Sequence, residues 1–259
     1  MRNLRPLLLA SSLIGVLAPF CAQAIPVRIA IENLAPANGN FLTPFWVGFH
    51  NGGFDLYDLG SPASPGLERL AEDGNTGVLS AEFAASGAGV TDATLAGPGG
   101  AIAPGEAATM TFDLDGSLPS SRYFSYASMV IPSNDAFIAN GNPLAHAIFD
   151  ASGDFLGADF LVAGAAVLDA GTEVNDEIPE NVAFLGQTVP NTGTTESGTV
   201  QIHPGFSPAG NILSAFPGAD FTAPGYQVAR ISITRIPEPG VLALVGLGLV
   251  SLLMARKRR

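Results

Sequence analysis

An antiparallel β-sandwich with long loops and one short helix is the fold class the sequence predicts. Three observations carry it. Short apolar runs are separated by clusters of Gly, Pro, Asn, Asp and Ser along most of the chain. In the last such run Ala229, Ile231 and Ile233 alternate with Arg230, Ser232 and Thr234, the period of a strand with one wet and one buried face. Between residues 25 and 236 there is no long amphipathic helical period and no internal repeat.

The elements follow in order. Residues 27–31 read as a first strand. Residues 45–49 read as a second, bounded by Pro44 and by Asn51-Gly52-Gly53. Alternation puts Phe45, Val47 and Phe49 on one face and Trp46 on the other, where it is either an exposed contact or packs under the helix. That helix is set by Ser64 as N-cap, Pro65 in the first turn, Leu67 and Leu70 on one face, and Gly74 as the closing residue. Residues 84–105 are mostly small and read as a loop. Residues 108–114 and 123–131 are strands joined through Asp115-Gly116, and 145–149 and 198–202 read as further strands before the closing one.

Both ends differ from this body. Arg2 and Arg5, the apolar stretch 7–20 and Ala22-Gln23-Ala24 form a secretory signal peptide, with cleavage after Ala24. At the other end Pro237-Glu238-Pro239-Gly240 breaks any strand. Residues 241–255 then carry no charge, and Arg256-Lys257-Arg258-Arg259 close the chain. Fifteen uncharged residues would cover about 22 Å as a helix, a little short of a hydrocarbon core of about 30 Å. Gly240 and a snorkelling Arg256 narrow that gap. The basic end is expected to stay cytoplasmic, which leaves residues 25–236 outside the cytoplasm. Hydrophobic helices are thus expected at both ends, around one domain of sufficient size for a core of its own.

The tripeptide Pro237-Glu238-Pro239, the apolar run and the basic end together resemble the PEP-CTERM tail of exported bacterial proteins. The resemblance implies recognition by an exosortase, a membrane transpeptidase, and removal of a transient inner-membrane anchor. It implies work at the outer surface or in an extracellular matrix, in bacteria that make exopolysaccharide.

Composition narrows the function classes. The only cysteine, Cys21, falls within the signal, so the mature domain has no disulfide. Setting aside the signal and the tail leaves five basic groups, no lysine and 22 acidic groups, a balance of −17. Such a surface repels nucleic acid and anionic lipid, and suits divalent cations or plain solubility. The three histidines, His50, His146 and His203, lie in no His-Glu-x-x-His motif. No Gly-x-Ser-x-Gly elbow and no phosphate-cradling loop occurs. Asp113 and Asp115 read as solvated turn carboxylates, and Asp150-x-x-Gly153-Asp154 reads as a hairpin turn rather than an EF-hand loop.

Two acidic loops remain. Pro132-Ser133-Asn134-Asp135 follows a strand, and Asp169-Ala170-Gly171-Thr172-Glu173 places two carboxylates across a glycine. Calcium takes six to eight oxygens from such loop ends, but spacing alone leaves a metal site and an ordinary acidic surface both open.

These loops, with Trp46-Val47-Gly48-Phe49-His50 and the helix 66–74, resemble the spondin domain of F-spondin and mindin over residues 25–236. The resemblance implies a β-sandwich akin to calcium-dependent membrane-binding domains, with calcium held at one end. It carries Asp135, Asp169 and Glu173 over as the acidic ligands. Two departures stand out: Glu173 replaces the family's usual Asp, and Ala136 stands where the animal proteins commonly have Trp. The implied function is a non-enzymatic adhesion or matrix module that binds exopolysaccharide or a surface protein. A secreted polysaccharide hydrolase and a passive acidic matrix component are the alternatives.

Overall fold

The structure, a computed structural model, describes residues 24–237. The expected signal peptide and all of the tail beyond Pro237, including Glu238 and Pro239, lie outside the described residues. Among the described residues no helix is long and apolar enough to cross a membrane.

Among the described residues there are eleven strands and three α-helices. In chain order they are β1 (Ile25–Asn33), β2 (Phe41–Leu42), β3 (Phe45–His50), α1 (Pro65–Asp73), α2 (Gly77–Ser86), β4 (Thr91–Leu95), β5 (Ala107–Leu114) and β6 (Tyr123–Ile131). There follow β7 (Ala136–Ala139), β8 (Ala158–Ala163), β9 (Leu168–Asp169), β10 (Gln201–Ile202), α3 (Asn211–Ala215) and β11 (Gln227–Arg235). One antiparallel sheet has the order β5-β1-β11-β8, and the other β10-β9-β7-β6-β3-β4, with β2 paired to β6.

The two sheets pack face to face. Val27, Ile29 and Ile31 of β1, Phe112 and Leu114 of β5, and Ile231 and Ile233 of β11 meet Phe45, Val47, Phe49, Phe124 and Val130 in one buried core. The outer face of the four-stranded sheet is open to water, so β11 and β5 alternate as the sequence predicts. The second sheet is covered on both faces. α1 and α2 lie over it, and Leu67, Leu70, Leu79 and Phe83 form a second core with Trp46, Ala127 and Phe137. β3 is therefore buried at every position, and β6 at all but its first. Trp46 packs under the helices, 5.3 Å from the Phe83 ring, and its indole N–H donates to Asp92 Oδ2 at 2.9 Å.

α1 matches its sequence signals. Ser64 Oγ accepts from Leu67 N–H, Pro65 opens the helix, and Gly74 ends it at φ +66°. A carboxylate from α2 completes the start: Glu82 accepts from Gly66 N–H at 2.7 Å and from the Ser64 hydroxyl at 2.7 Å.

The expectation of a single helix is corrected, since α2 and α3 are also present. α2 has no side-chain cap and its apolar residues are spread around its circumference, so it lacks the periodicity that reveals a helix. The loop expected over 84–105 is instead the end of α2 and all of β4, an edge strand held by register to β3. Residues 145–149 make only isolated bridges, Tyr123↔Ala147 and Phe149↔Phe155. Residues 198–202 shrink to β10, and β8 was not expected at all.

The register gives the sandwich two distinct ends. Ile25 pairs with Leu114 and Val27 with Arg235, so both ends of the described chain sit at one pole, beside the turns at 115–117 and 150–154. At the other end of β1, Asn33 donates to the Asn40 and Ile102 carbonyls, and Phe41 pairs with Ile131 at the close of β6. The loop carrying Asp135 follows Ile131, at this second pole.

Because Trp46 joins sheet to helix layer, we expect Trp46→Ala to lower unfolding stability by about 3–5 kcal/mol. Denaturant unfolding of the mature domain reads this directly, and a loss below about 1 kcal/mol would mean that the helix layer adds little.

Candidate functional site

The two acidic loops meet at the second pole. Asp169 ends β9 opposite Ala136, the first residue of β7, which brings it beside Asp135. Asp135 Oδ2 accepts from Thr172 N–H at 2.9 Å, Glu173 N–H at 3.1 Å and the Thr172 hydroxyl at 3.3 Å. Asp169 Oδ1 accepts from Gly171 N–H at 2.7 Å, while its Oδ2 accepts from Asn175 at 2.8 Å and Gln201 at 3.3 Å. Glu173 Oε1 accepts from Gly193 N–H at 3.0 Å. Gly171 makes the turn at φ +68°, and a Cβ there would stand 2.6 Å from Thr199 N.

All three carboxylates are buried, with relative exposures of 0 % for Asp135, 2 % for Asp169 and 3 % for Glu173. A fourth acid, Glu72 of α1, joins them at 3 %. Among the described residues Arg69 alone forms an ion pair here, shared between Glu72, at 3.2 Å, and Asp73. Two oxygens, Asp135 Oδ1 and Glu173 Oε2, are buried without any hydrogen-bond partner. An unpartnered buried carboxylate oxygen is costly, and in proteins it is met by a proton or a cation.

The protonation equilibria reflect this. Burial, reinforced by the charge of Asp169, pushes the Asp135 carboxyl up to about 6, against the pull of the Thr172 and Glu173 donors. Burial pushes Glu173 up to about 7, with Glu72, Asp135 and Asp176 adding their negative charge against the Gly193 bond. Burial also raises Glu72. His203 lies behind Asp169, and burial lowers it to about 4 despite that neighbour.

Among the described residues no three carboxylate, histidine or cysteine side chains come together closely enough to form a finished metal cage. Several oxygens are already engaged by the loops' own amides. Of the acids at this pole, Asp135 and Glu173 each keep one oxygen that no protein group engages.

Sequence reasoning missed three contributors. Glu72 lies within the helix 66–74, but nothing in its spacing announces burial. Asn134 ties the loops together, donating to Asp176 at 3.2 Å and accepting from Glu177 N–H at 3.4 Å. Glu177 is itself buried at φ +52° and caps α3 through Ile212 N–H at 3.2 Å.

His50 Nε2 lies 2.8 Å from Ser125 Oγ, but Gly52 N–H donates to its Nδ1, so the ring proton sits on Nε2 and points at the serine. That is the tautomer opposite to a general base, and both side chains are fully buried. A cavity of about 390 Å³ beyond β8 is lined by Ile202, His203, Phe221, Tyr226 and Gln227, with no carboxylate in its wall. Asp113 is exposed on β5, and Asp115 bonds within its own turn to Ser117. Asp150 accepts from Ser152 and Asp154 N–H groups, the hairpin turn expected.

Comparison with known families bears on the end of the chain. Residues 235–259 match the PEP-CTERM protein-sorting motif. The chain is thus a target of exosortase. The motif marks exported proteins sorted to the cell surface, as Pro237, Glu238 and Pro239 predict. The match begins at Arg235, the last residue of β11, so all of the sandwich before that residue lies outside it. No curated protein matches the chain.

Linkage fixes the sign of a pH test. Asp135 and Glu173 have folded values above the ordinary carboxylate range, so their contribution is full below about pH 4 and is lost as pH rises through about 6 and 7. His50 and His203, both lowered by burial, act oppositely below about pH 6.5. In chelator, the melting temperature is therefore expected to fall between about pH 6.5 and 8, and Glu173→Gln to fall less. Equal slopes in the two proteins would remove the buried ionised carboxylate from the account.

Proposed function

We propose that this exported chain is a non-enzymatic surface or matrix module that binds calcium at its acidic pole, a spondin-like domain delivered by an exosortase-sorted tail. The observation that carries the reading is the burial of Asp135, Asp169, Glu173 and Glu72, with one oxygen each of Asp135 and Glu173 unpartnered and Arg69 the one ion-paired cation there among the described residues. Burial raises the carboxyls of Asp135, Glu173 and Glu72, so their joint ionisation calls for compensation. A divalent ion supplies it, and the oxygen-only donor set selects calcium or a similar hard ion.

In this reading Asp135 and Glu173 offer their unengaged oxygens, Asp169 turns one of its two, and Glu72 balances charge from the helix layer. The ion locks the 133–135 and 169–175 loops into one rigid rim. Such a rim is suited to calcium-dependent contact with exopolysaccharide or a surface protein. The buried Ser125–His50 pair, with its ring proton on the serine side, favours binding over hydrolysis. A passive acidic coat would need none of this burial, since solvated acids serve solubility equally well.

Calcium at a hundred times its Kd should stabilise the fold by about 2.7 kcal/mol, roughly 5–10 °C in a domain of this size. Thermal unfolding with calcium and with chelator measures it, and Asp135→Asn and Asp169→Asn should abolish the shift. An unchanged melting temperature in wild type would sink the calcium reading. For the tail, replacing Pro237 and Pro239 together by Ala should leave full-length chain in the cell envelope. Normal release of that variant, followed by immunoblot, would separate sorting from the motif.

A further inference from the structure

We infer that the acidic pole is the face this chain presents outward, and that the pole bearing both chain ends is held against the membrane while the tail is in place. The inference rests on the tail being a membrane anchor and does not depend on the metal.

The placement is set by backbone pairing. Ile25 pairs with Leu114, Val27 pairs with Arg235, and Ile236 N–H donates to the Pro26 carbonyl at 2.8 Å. The fold thus continues to the residue before Pro237, with no slack between sandwich and sorting motif. Only residues 237–240 separate it from the uncharged stretch. Four residues reach at most about 14 Å, and Pro237 and Pro239 restrict their freedom further. The new N-terminus left by cleavage after Ala24 falls at the same pole.

The acidic pole is a strand length away. The nine residues of β1 span roughly 30 Å. At that far end Asp135, Asp169 and Glu173 sit beneath a segment exposing Ile178, Phe184 and Val189, at 46 %, 51 % and 58 %. The bridge between Ser133 and Ala183 fixes that segment to the same pole. Facing outward, these side chains are available to a partner beyond the membrane and are out of reach of its headgroups. The turns nearest the membrane carry Asp115, Asp150 and Asp154 beside the single cation Arg235, so this pole has no basic patch of its own for anionic lipid and the tail makes the main contact.

The mature chain contains no cysteine, so single reporters are clean. Ser152→Cys labels the terminal pole and Ser197→Cys the acidic pole, both at exposed positions. Ser117→Cys and Thr195→Cys form a second pair should either fail to fold. The signal-cleaved chain with its tail intact is placed in vesicles of phosphatidylethanolamine and phosphatidylglycerol carrying a headgroup quencher. The label at 152 should lose most of its emission and the label at 197 almost none, in calcium and in chelator alike. Equal quenching at both positions, or quenching at 197 that appears with calcium, would overturn the inference and show the acidic pole docking on lipid. Protein that does not float with the vesicles would overturn the anchor reading itself, and this orientation with it.

Discussion

The buried carboxylate of Asp135 is the constraint on which the functional end of this molecule turns. It is fully enclosed, it accepts from two successive backbone amides of a different loop, and it leaves one oxygen without a partner. Those amide bonds draw Glu173 inward with its own unengaged oxygen, and β-pairing adds Asp169 from the other side. The arrangement is held by backbone groups, so the acids cannot escape to water by rotating a side chain. Negative charge is concentrated where the dielectric is low, and the fold needs a proton or a cation there.

The rest of the architecture makes that concentration possible. A two-layer sandwich would leave the outer face of the β3–β6–β7 sheet wet. The helix layer over Trp46 and Phe137 buries it, and α1 delivers Glu72 to the same pole. The price in desolvation is borne by a large core: β3 and β6 are buried along nearly their whole length. The opposite pole collects both ends of the described chain, so the sorting motif and the buried acids lie at separate ends of the sandwich. The PEP-CTERM match covers the tail that leaves the first, and the buried acids lie at the second.

What could be read from the chain followed from how local the signals were. α1 was legible to its caps because Ser64, Pro65 and Gly74 act within one turn. β6 and β11 were legible because their apolar patterns are long. α2 was not, because its apolar residues follow no single face. β8 was hidden for a similar reason, an edge strand whose alternation is blurred by half-buried positions. At the site, the two loops containing Asp135, Asp169 and Glu173 could be named, yet their proximity depends on β7–β9 register across more than 30 residues. Glu72 could not be named, since only the sheet beneath it decides that a helix-end glutamate is dry. The tail was the most legible part, three short chemical signals in fixed order.

Calorimetric titration of the metal-free mature domain with calcium is the most direct test of the central claim. The account predicts saturable binding of one ion per chain, with protons released at about pH 6 as the raised carboxyls ionise, and its loss in Asp135→Asn. Absence of binding, or binding unchanged by Asp135→Asn, would contradict it.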